Sequence, residues 1–363
     1  MKIKELLAEM VRKEASDLFY RAGGLPRMRI DGKVVPAGDH GLTVEDCLKA
    51  TEELTTLEQR DKLKKDFDID FGLDIDFSIY LQELSHRFRV SIFKQRNWPS
   101  IVIRNIRSKT QSFEELNLPA DVLKKLAMER GGLVLLTGTM GSGKSTTIAS
   151  MIEYINANSP RHILTIEEPI EFTFQDKQSI INQRELGIDV ASYPLALRAF
   201  TLQSPDVIFV SNIRDLEMMS AALTAAETGV LVLSTLHTVD ASQSIERIIN
   251  FFPPYQHQEI RNQVASLLKG VISLRLVPLK SGAGRIPAYE AMLNTPTISR
   301  LIRENKVREI LQFIEEGGVF GMQSFNQSLI KLIREGKISE EEAQRFSDNK
   351  EEFLLALRGI KKL

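Results

Sequence analysis

The chain has 363 residues, of which 43% are hydrophobic and 26% are charged, and its formal net charge is −1. This length predicts two domains, and the balanced charge excludes a strong general attraction to nucleic acid or anionic lipid. A single cysteine, Cys47, excludes an internal disulfide and fits a reducing compartment. The charged N-terminus lacks the apolar core of a signal peptide, and the uncharged run at residues 131–143 is shorter than the ~18 residues that span a bilayer. We therefore expect a soluble, cytoplasmic protein that binds no nucleic acid and does not insert into a membrane.

Residues 1–107 are predicted to form a small α+β domain. Residues 2–15 have the charge pattern of an amphipathic helix, and Thr43 is a suitable N-cap for a second helix. Asp31-Gly32 predicts a hairpin turn between two short strands. Three segments with strict period-two alternation predict further strands: "DFDIDFGLDIDFSIY", "HRFRVSIF" and "SIVIRNIR".

A second domain is predicted for residues 120–363. Residues 108–119, "SKTQSFEELNLP", are polar, end in proline and predict a linker between the two domains. Beyond the linker, helical segments alternate with short apolar strands: "GLVLLTG", "HILTIEE", "VIFVSN" and "VLVLSTLH". This alternation predicts a parallel sheet with helices on both faces. The last part of the domain, about 296–363, is predicted to be mainly helical.

A phosphate-binding loop stands between the first of these strands and the helix that follows it. The segment "GTMGSGKS" satisfies every fixed position of the pattern G-x-x-x-x-G-K-[ST], in the strand–loop–helix context that the pattern requires. Glycines let backbone N–H groups converge on phosphate oxygens, Lys144 brings a charge to the β- and γ-phosphates, and Ser145 can ligate Mg²⁺. The predicted ATP-binding residues are Gly138, Thr139, Met140, Gly141, Ser142, Gly143, Lys144, Ser145 and Thr146.

Further segments occur in a fixed order that narrows the type of phosphate-loop protein. "HRFRVSIFKQR" precedes the loop, and "TIEEPIEF", "NQRE", "LSTLHT", "RIINFFP" and "GMQSFNQSLIKLIREGKISEEEA" follow it. With these segments the whole chain resembles the hexameric PilT/PilU ATPases, which retract type IV pili in twitching motility. Its tail and "RIINFFP" are more similar to the PilU branch. The resemblance implies a PAS-like N-terminal domain, a RecA-like ATPase domain, and a homo-hexameric ring with ATP and Mg²⁺ between neighbouring subunits.

The resemblance also implies roles for residues outside the loop. Glu167 matches the first acid of the family's aspartate box, "TIEDPIE", and Glu168 replaces its aspartate, which keeps the charge but changes its reach to magnesium or water. Arg89 and Arg104 lie where the family's arginine fingers reach ATP on the adjoining subunit, where such a cation stabilises the transferring phosphoryl group. His237 matches the second histidine of the family's histidine box, a site for sensing the γ-phosphate.

The segment "SNIRD" departs from the family pattern on the catalytic side. The family usually has "GEMRD" or "GEIRD" here, so Asn212 stands where a glutamate would orient and deprotonate the attacking water. An amide cannot accept the proton, and loss of a general base lowers rates by about 10²–10⁴. Val230 also replaces the first histidine of the histidine box, and "FTLQSPD" lacks an arginine often found in the family. These changes predict slow hydrolysis, with Glu167, Glu168 and Asp215 as alternative proton acceptors.

Three functions are compatible with these features. The first is a retraction motor subunit that binds ATP–Mg²⁺, hydrolyses it slowly and passes domain motion to a pilus platform protein at the inner membrane. The second is a non-hydrolysing accessory partner of another, active retraction ATPase, which Asn212 and Val230 favour. The third is a pilus assembly or type II secretion ATPase, which the short N-terminal region and the lack of a tetracysteine zinc insert disfavour.

Overall fold

The computed structural model describes residues 3–30, 33–57, 59–60, 75–81, 84, 86–106, 110–200, 202–282 and 284–359. The chain divides into two compact units. The first comprises Met1–Lys109 together with the short segment Pro169–Thr173, and the second comprises Thr110–Glu168 and Phe174–Leu363. Three predicted features fall wholly or partly outside the described residues: the turn at Asp31-Gly32, the first part of "DFDIDFGLDIDFSIY" and the start of the linker at 108–119.

The first unit is built on a six-stranded antiparallel sheet. Its described elements are α1 (Ile3–Arg12), β1 (Asp17–Arg21), β2 (Arg27–Ile30), β3 (Lys33–Pro36), α2 (Val44–Leu54), β4 (Ile75–Leu81), β5 (His86–Gln95) and β6 (Trp98–Ile106). The strands lie in the order β3-β2-β1-β6-β5-β4, and every neighbouring pair is antiparallel. Residues that are directly opposite each other in such pairs project from the same face of the sheet.

Helical periodicity determines which side of α1 enters the core of this unit. Four apolar residues spaced i, i+3, i+4 and i+7 are buried: Ile3, Leu6, Leu7 and Met10. They belong to the same apolar cluster as Leu18, Phe88, Val90, Ile101 and Ile103 of the strands. The helix predicted at 2–15 is therefore confirmed, although it ends earlier, at Arg12.

The second helix of this unit begins as the sequence predicts. The side chain of Thr43 accepts a hydrogen bond from the backbone N–H of Asp46, and the Asp46 carboxylate accepts one from the N–H of Thr43. This reciprocal capping box satisfies two of the backbone donors that a helix N-terminus leaves unpaired.

The second unit is a seven-stranded sheet accompanied by helices. Its described elements are α3 (Ala120–Ala127), β7 (Gly132–Thr137), α4 (Lys144–Asn158), β8 (His162–Glu167), β9 (Ile180–Glu185), α5 (Tyr193–Phe200), β10 (Val207–Val210), α6 (Leu216–Glu227), β11 (Leu231–Leu236), α7 (Ala241–Asn250), α8 (His257–Leu267), β12 (Leu268–Pro278), β13 (Arg285–Leu293), α9 (Pro296–Arg303), α10 (Ile310–Glu316), α11 (Phe325–Arg334), α12 (Glu340–Phe346) and α13 (Lys350–Leu357). Strands β7, β10 and β11 are buried along their whole length, which explains their continuous apolar sequences.

The sheet is parallel except at one edge. The strand order is β13-β12-β7-β11-β10-β8-β9, and the pairs from β12 to β9 are parallel. The parallel arrangement of β7, β8, β10 and β11 was predicted, whereas β9 and β12 were not. The hairpin β12–β13, whose strands are antiparallel, was not predicted from the sequence. Only residues 279–284 join these two strands, and a connection that short permits antiparallel pairing alone.

The C-terminal helices pack on this hairpin through a separate apolar cluster. Helix α9 begins at Pro296, as predicted, with Thr295 as its N-cap. The turn between α12 and α13 is bound by Arg275 of β12. This arginine donates to the carbonyl oxygen of Phe346 at 2.6 Å and pairs with Asp348 at 2.5 Å. Its guanidinium also lies 3.7 Å from the ring centre of Phe325 in α11.

In the part of the chain that the structure describes, no helix is both long and apolar enough to cross a bilayer.

A buried acid, Glu290, supports the start of helix α7. Only 3% of this β13 residue is exposed, and its Oε1 accepts a hydrogen bond from the backbone N–H of Ala241 at 2.8 Å. Burial raises the pKa of Glu290 to about 8, against the lowering effect of that hydrogen bond, and Asp240 and Asp348 raise it further. The folded protein therefore holds this side chain as a neutral acid near neutral pH.

We predict that Glu290→Gln makes stability less dependent on pH. The pKa of Glu290 is higher in the folded state than its ordinary value of 4.5, so its stabilising contribution is complete below pH 4.5 and is lost as the pH rises through about 8. Each unit of pKa corresponds to about 1.4 kcal/mol. The free energy of unfolding can be measured by urea unfolding followed by circular dichroism. The difference between the variant's value and the native value should rise by a few kcal/mol, roughly 2–5, from pH 5 to pH 9. An equal difference at both pH values would contradict this account.

Candidate functional site

The phosphate loop connects the end of β7 to the start of α4. Three of its glycines adopt positive φ angles: 139° at Gly138, 76° at Gly141 and 103° at Gly143. L-residues with side chains rarely adopt these angles, so the glycines allow the tight path of the loop. A Cβ atom at Gly138 would also lie 2.5 Å from the carbonyl oxygen of Leu274 and from Oγ of Ser142. The loop is thus shaped by backbone conformation and by close packing.

Donors converge on this loop. The Lys144 ammonium, largely buried, donates to the carbonyl oxygens of Gly138 and Thr139 at 2.6 and 2.8 Å. Helix α4, with 15 residues, directs its positive N-terminal end toward the same place. The Oγ atom of Ser142 is buried and has no hydrogen-bond partner in the described part of the chain. An unsatisfied hydroxyl, a lysine and a helix N-terminus together fit the phosphates of a nucleotide.

Four neighbouring parallel strands bring the other predicted second-unit residues to the edge where the loop lies. The carboxyl ends of β7, β11, β10 and β8 meet there, because parallel strands in register end on one side of a sheet. Directly after these ends come the loop, His237 and Glu168; Asn212 is the second residue after β10, and Glu167 is the last residue of β8. Residues far apart in sequence are thus brought to the same edge of the sheet.

The two acids of "TIEEPIE" have different surroundings. Glu167 is buried, and its Oε1 accepts hydrogen bonds from Oγ1 of Thr165 at 2.8 Å and Nε2 of Gln183 at 3.1 Å. Glu168 is exposed, and its Oε2 lies 2.8 Å from Nη2 of Arg214. An ion pair in water contributes little stability, about 0–1 kcal/mol, so Glu168 can exchange partners more easily than Glu167.

Asp215, the third alternative acceptor, caps a helix. Its Oδ1 accepts a hydrogen bond from the backbone N–H of Met218 at 2.9 Å, at the start of α6. Loss of such a cap costs about 0.5–2 kcal/mol, so Asp215 is committed to the helix.

Asn212 has an unusual backbone conformation. Its φ angle is +51°, in the left-handed region that asparagine and aspartate tolerate better than most side chains. The backbone N–H of Asn212 donates to Oγ1 of Thr235 at 3.0 Å. Its side-chain Oδ1 is buried without a hydrogen-bond partner among the described residues. The position is therefore suited to a short polar side chain with an acceptor that a ligand or water can satisfy.

His237 lies beside the phosphate loop. Partial burial lowers the pKa of His237, and the positive charge of Lys144 lowers it further. The backbone of Gly138 is close enough to the imidazole to favour its protonated form and so to raise its pKa, but this effect is smaller. The imidazole is consequently neutral near pH 7, with one ring nitrogen that donates and one that accepts.

Arg89 and Arg104 form a separate cluster in the first unit. They are directly opposite each other on β5 and β6. Nε of Arg104 donates to Oδ1 of Asp17 at 3.0 Å, and about two thirds of the Arg104 side chain is exposed.

Two further side chains at this edge of the sheet, Arg214 and Tyr193, were not predicted as site residues. Arg214 pairs with Glu168, and the hydroxyl of Tyr193 hydrogen-bonds that of Ser211 at 2.9 Å. The only signal for Arg214 was its place in "SNIRD", two residues after Asn212, and no pattern indicated Tyr193.

No metal site is complete within the described residues, which contain no cluster of three or more His, Cys, Asp or Glu side chains able to hold an ion. Magnesium at nucleotide sites usually takes one or two protein ligands together with phosphate oxygens and water. The predicted ligand Ser145 is half-buried in the first turn of α4. A magnesium ion here would therefore depend on the nucleotide for most of its ligands.

A family model described as "Type II/IV secretion system protein" matches residues 1–345. The chain belongs to this family. Two relatives from Pseudomonas aeruginosa match almost the whole chain. "Type IV pilus ATPase PilU" is 39% identical over 99% of this chain and 92% of its own length. "Type IV pilus retractation ATPase PilT" is 41% identical over 97% of this chain and 100% of its own length.

A solved structure extends this similarity to the fold. The crystal structure of the pilus retraction motor PilT with bound ADP is 41% identical, covers 97% of this chain and 98% of that one, and superposes with a TM-score of 0.89. The chain is accordingly a member of the PilT/PilU family of ATPases, with a RecA-like α/β unit after an N-terminal domain. Its identities to PilT and PilU are nearly equal.

We predict that Gly138→Ala weakens ATP binding by at least about tenfold, because atoms closer than 3 Å to the new Cβ must move and distort the loop. Gly141→Ala is the matched control: its Cβ would meet no atom within 4 Å, so its cost is limited to the left-handed strain of roughly 1–2 kcal/mol. Titration with a fluorescent ATP analogue measures both variants. Equal affinities would contradict the role given to packing around Gly138.

Proposed function

We propose that this protein is an ATP-driven subunit of the type IV pilus retraction machinery and that it hydrolyses ATP slowly. The observation that carries the proposal is the preformed phosphate loop within a chain that matches pilus ATPases over nearly its whole length. Six copies form a ring on the cytoplasmic side of the inner membrane. The ring passes nucleotide-dependent motion to a platform protein of the pilus, and residues 108–119 act as the hinge.

In this proposal, ATP binding exchanges the partners of Lys144. Its ammonium leaves the carbonyl oxygens of Gly138 and Thr139 for phosphate oxygens, which offer a full negative charge in place of two dipoles. Backbone N–H groups of residues 141–146 complete the cradle. Ser145 would hold Mg²⁺, and the ion would neutralise charge on the β- and γ-phosphates.

The remaining predicted residues act on the γ-phosphate and the attacking water. Neutral His237 donates a hydrogen bond near the γ-phosphate, and Arg89 and Arg104 approach from the neighbouring subunit. Asn212 orients the water through its amide oxygen but does not take its proton. Glu168 takes over that role at a reduced rate, because Asp215 caps α6 and Glu167 is held by two donors.

A non-hydrolysing accessory partner of an active retraction ATPase is the second candidate. The left-handed backbone at Asn212 favours it, because this conformation strains a glutamate by about 1–3 kcal/mol and suits the amide already present. In this version the protein binds ATP, joins or docks on an active ring and changes its output without cleaving nucleotide itself.

We predict that Asn212→Asp raises ATP turnover by at least about tenfold, because it supplies a carboxylate in a side chain that tolerates the local φ of +51°. Asn212→Glu should raise it less, because glutamate is strained there. Phosphate release by the assembled protein is the measurement, with Asn212→Ala as the control for loss of the amide.

Three results would reject parts of the proposal. Unchanged turnover in Asn212→Asp would show that the missing carboxylate does not limit hydrolysis. Native turnover within about tenfold of that of an active retraction motor, measured in the same assay, would exclude the accessory version. Persistent ATP binding in Lys144→Ala would contradict the assigned nucleotide site in both versions.

A further inference from the structure

The antiparallel register of the first unit aligns four charged residues in one row across its sheet. Arg29 is opposite Asp17, Asp17 is opposite Arg104, and Arg104 is opposite Arg89. Directly opposite residues share a face, so three guanidinium groups and one carboxylate lie side by side. The row has an excess of two positive charges, which makes this face attractive to an anion such as a phosphate group.

Asp17 is the fixed member of the row. Only 6% of the residue is exposed. Its Oδ2 accepts a hydrogen bond from Oγ of Ser16 at 2.8 Å and lies 3.2 Å from Nε of Arg29. Its Oδ1 accepts from Nε of Arg104 at 3.0 Å. A buried carboxylate with donors on both oxygens has little freedom to reorient, so it can hold a more mobile partner in place.

Arg104 is held at one end only. Its contact with Asp17 uses Nε, and the two Nη groups have no protein partner among the described residues. The side chain is about two thirds exposed, so without Asp17 it would sample many rotamers. With Nε anchored, the Nη end keeps the planar pair of donors that binds a phosphate bidentately.

Arg89, which is opposite Arg104, is a second indication that the ligand of this face is an anion. Like charges directly opposite each other on a sheet are destabilising, and Arg89 faces Arg104 in this way. An anion bound between the two guanidinium groups would relieve that repulsion. A carboxylate already fills this role on the Asp17 side of Arg104, whereas the Arg89 side is left for an external anion.

We infer that Asp17 is a positioning residue, which orients Arg104 for a triphosphate bound to a neighbouring subunit. This inference rests on the proposed role of Arg104 as an arginine finger. It extends that role by naming the group that prepares the finger before nucleotide arrives. Because the preparation matters most for the charge that develops during phosphoryl transfer, loss of Asp17 should reduce kcat more than it raises KM.

The test uses the assembled protein and two readouts: kcat and KM for ATP, and the affinity for ADP–aluminium fluoride compared with that for ADP. The second readout measures stabilisation of the transferring phosphoryl group even where turnover is slow. We expect Arg104→Ala to lower kcat and the affinity for ADP–aluminium fluoride by at least about tenfold. Asp17→Asn should lower both by about three- to tenfold, while the affinity for ADP stays within about twofold of the native value.

Two controls separate positioning from a structural role. Arg29→Lys keeps a charged donor for the same carboxylate and should leave both readouts near the native values. The double variant Asp17→Asn/Arg104→Ala should be no worse than Arg104→Ala alone, because Asp17 acts through Arg104.

The failures are distinguishable. A normal Asp17→Asn beside a defective Arg104→Ala overturns the inference and leaves the finger assignment intact. Additive losses in the double variant also overturn it, because Asp17 would then act independently of Arg104. A normal Arg104→Ala overturns the finger assignment and the inference together. ATP binding that survives Lys144→Ala overturns the proposed nucleotide site.

Discussion

The backbone ladder of the parallel sheet is the constraint on which the site depends. Strands β7, β11, β10 and β8 pair in register, so their carboxyl ends lie at a single edge. Each strand then delivers a different chemical group there: the phosphate loop, an imidazole, an amide and a pair of acids. The strands themselves are fully or almost fully buried, so apolar burial holds the ladder that aligns these groups.

The cationic side chains at this edge of the sheet have partners within the protein, and the imidazole there is neutral. Lys144 rests on carbonyl oxygens of its own loop, Arg214 pairs with Glu168, and partial burial keeps His237 neutral. A phosphate oxygen offers Lys144 a full negative charge where a carbonyl oxygen offers only a dipole. This lysine can therefore change partners on binding without a change in the sheet that carries it.

Local signals in the sequence predicted much of the architecture. Period-two alternation identified the strands around Arg89 and Arg104, the capping pattern identified Thr43, and Pro296 marked the start of the C-terminal helices. The hairpin β12–β13 was missed because its first strand follows α8 with no turn residue between them. The apolar sequence of β12 therefore had no turn residues before it to mark where the strand begins.

The candidate site was predicted less completely, because its contacts join distant residues. Asp17 and Arg104 are 87 positions apart, and only the strand register brings them together. Asn212 has a left-handed backbone and donates a hydrogen bond to Thr235 of β11, 23 positions away. Asp215 carries an acid that composition alone could assign to catalysis, whereas its geometry assigns it to a helix cap. In each case the residue type indicated which chemistry the side chain can perform, whereas its contacts in the folded protein determine which role it has.

The contacts of Arg275 bear on where the ATPase unit can be cut. The family match ends at residue 345, yet the carbonyl and carboxylate that this arginine binds belong to Phe346 and Asp348. A protein shortened to the matched segment would leave a largely buried cation without its counter-charge and would uncover the apolar surface that Phe353 and Ala356 shield. The C-terminal helices are thus a packed part of the ATPase unit, and a stable truncated protein should retain the chain through Leu357.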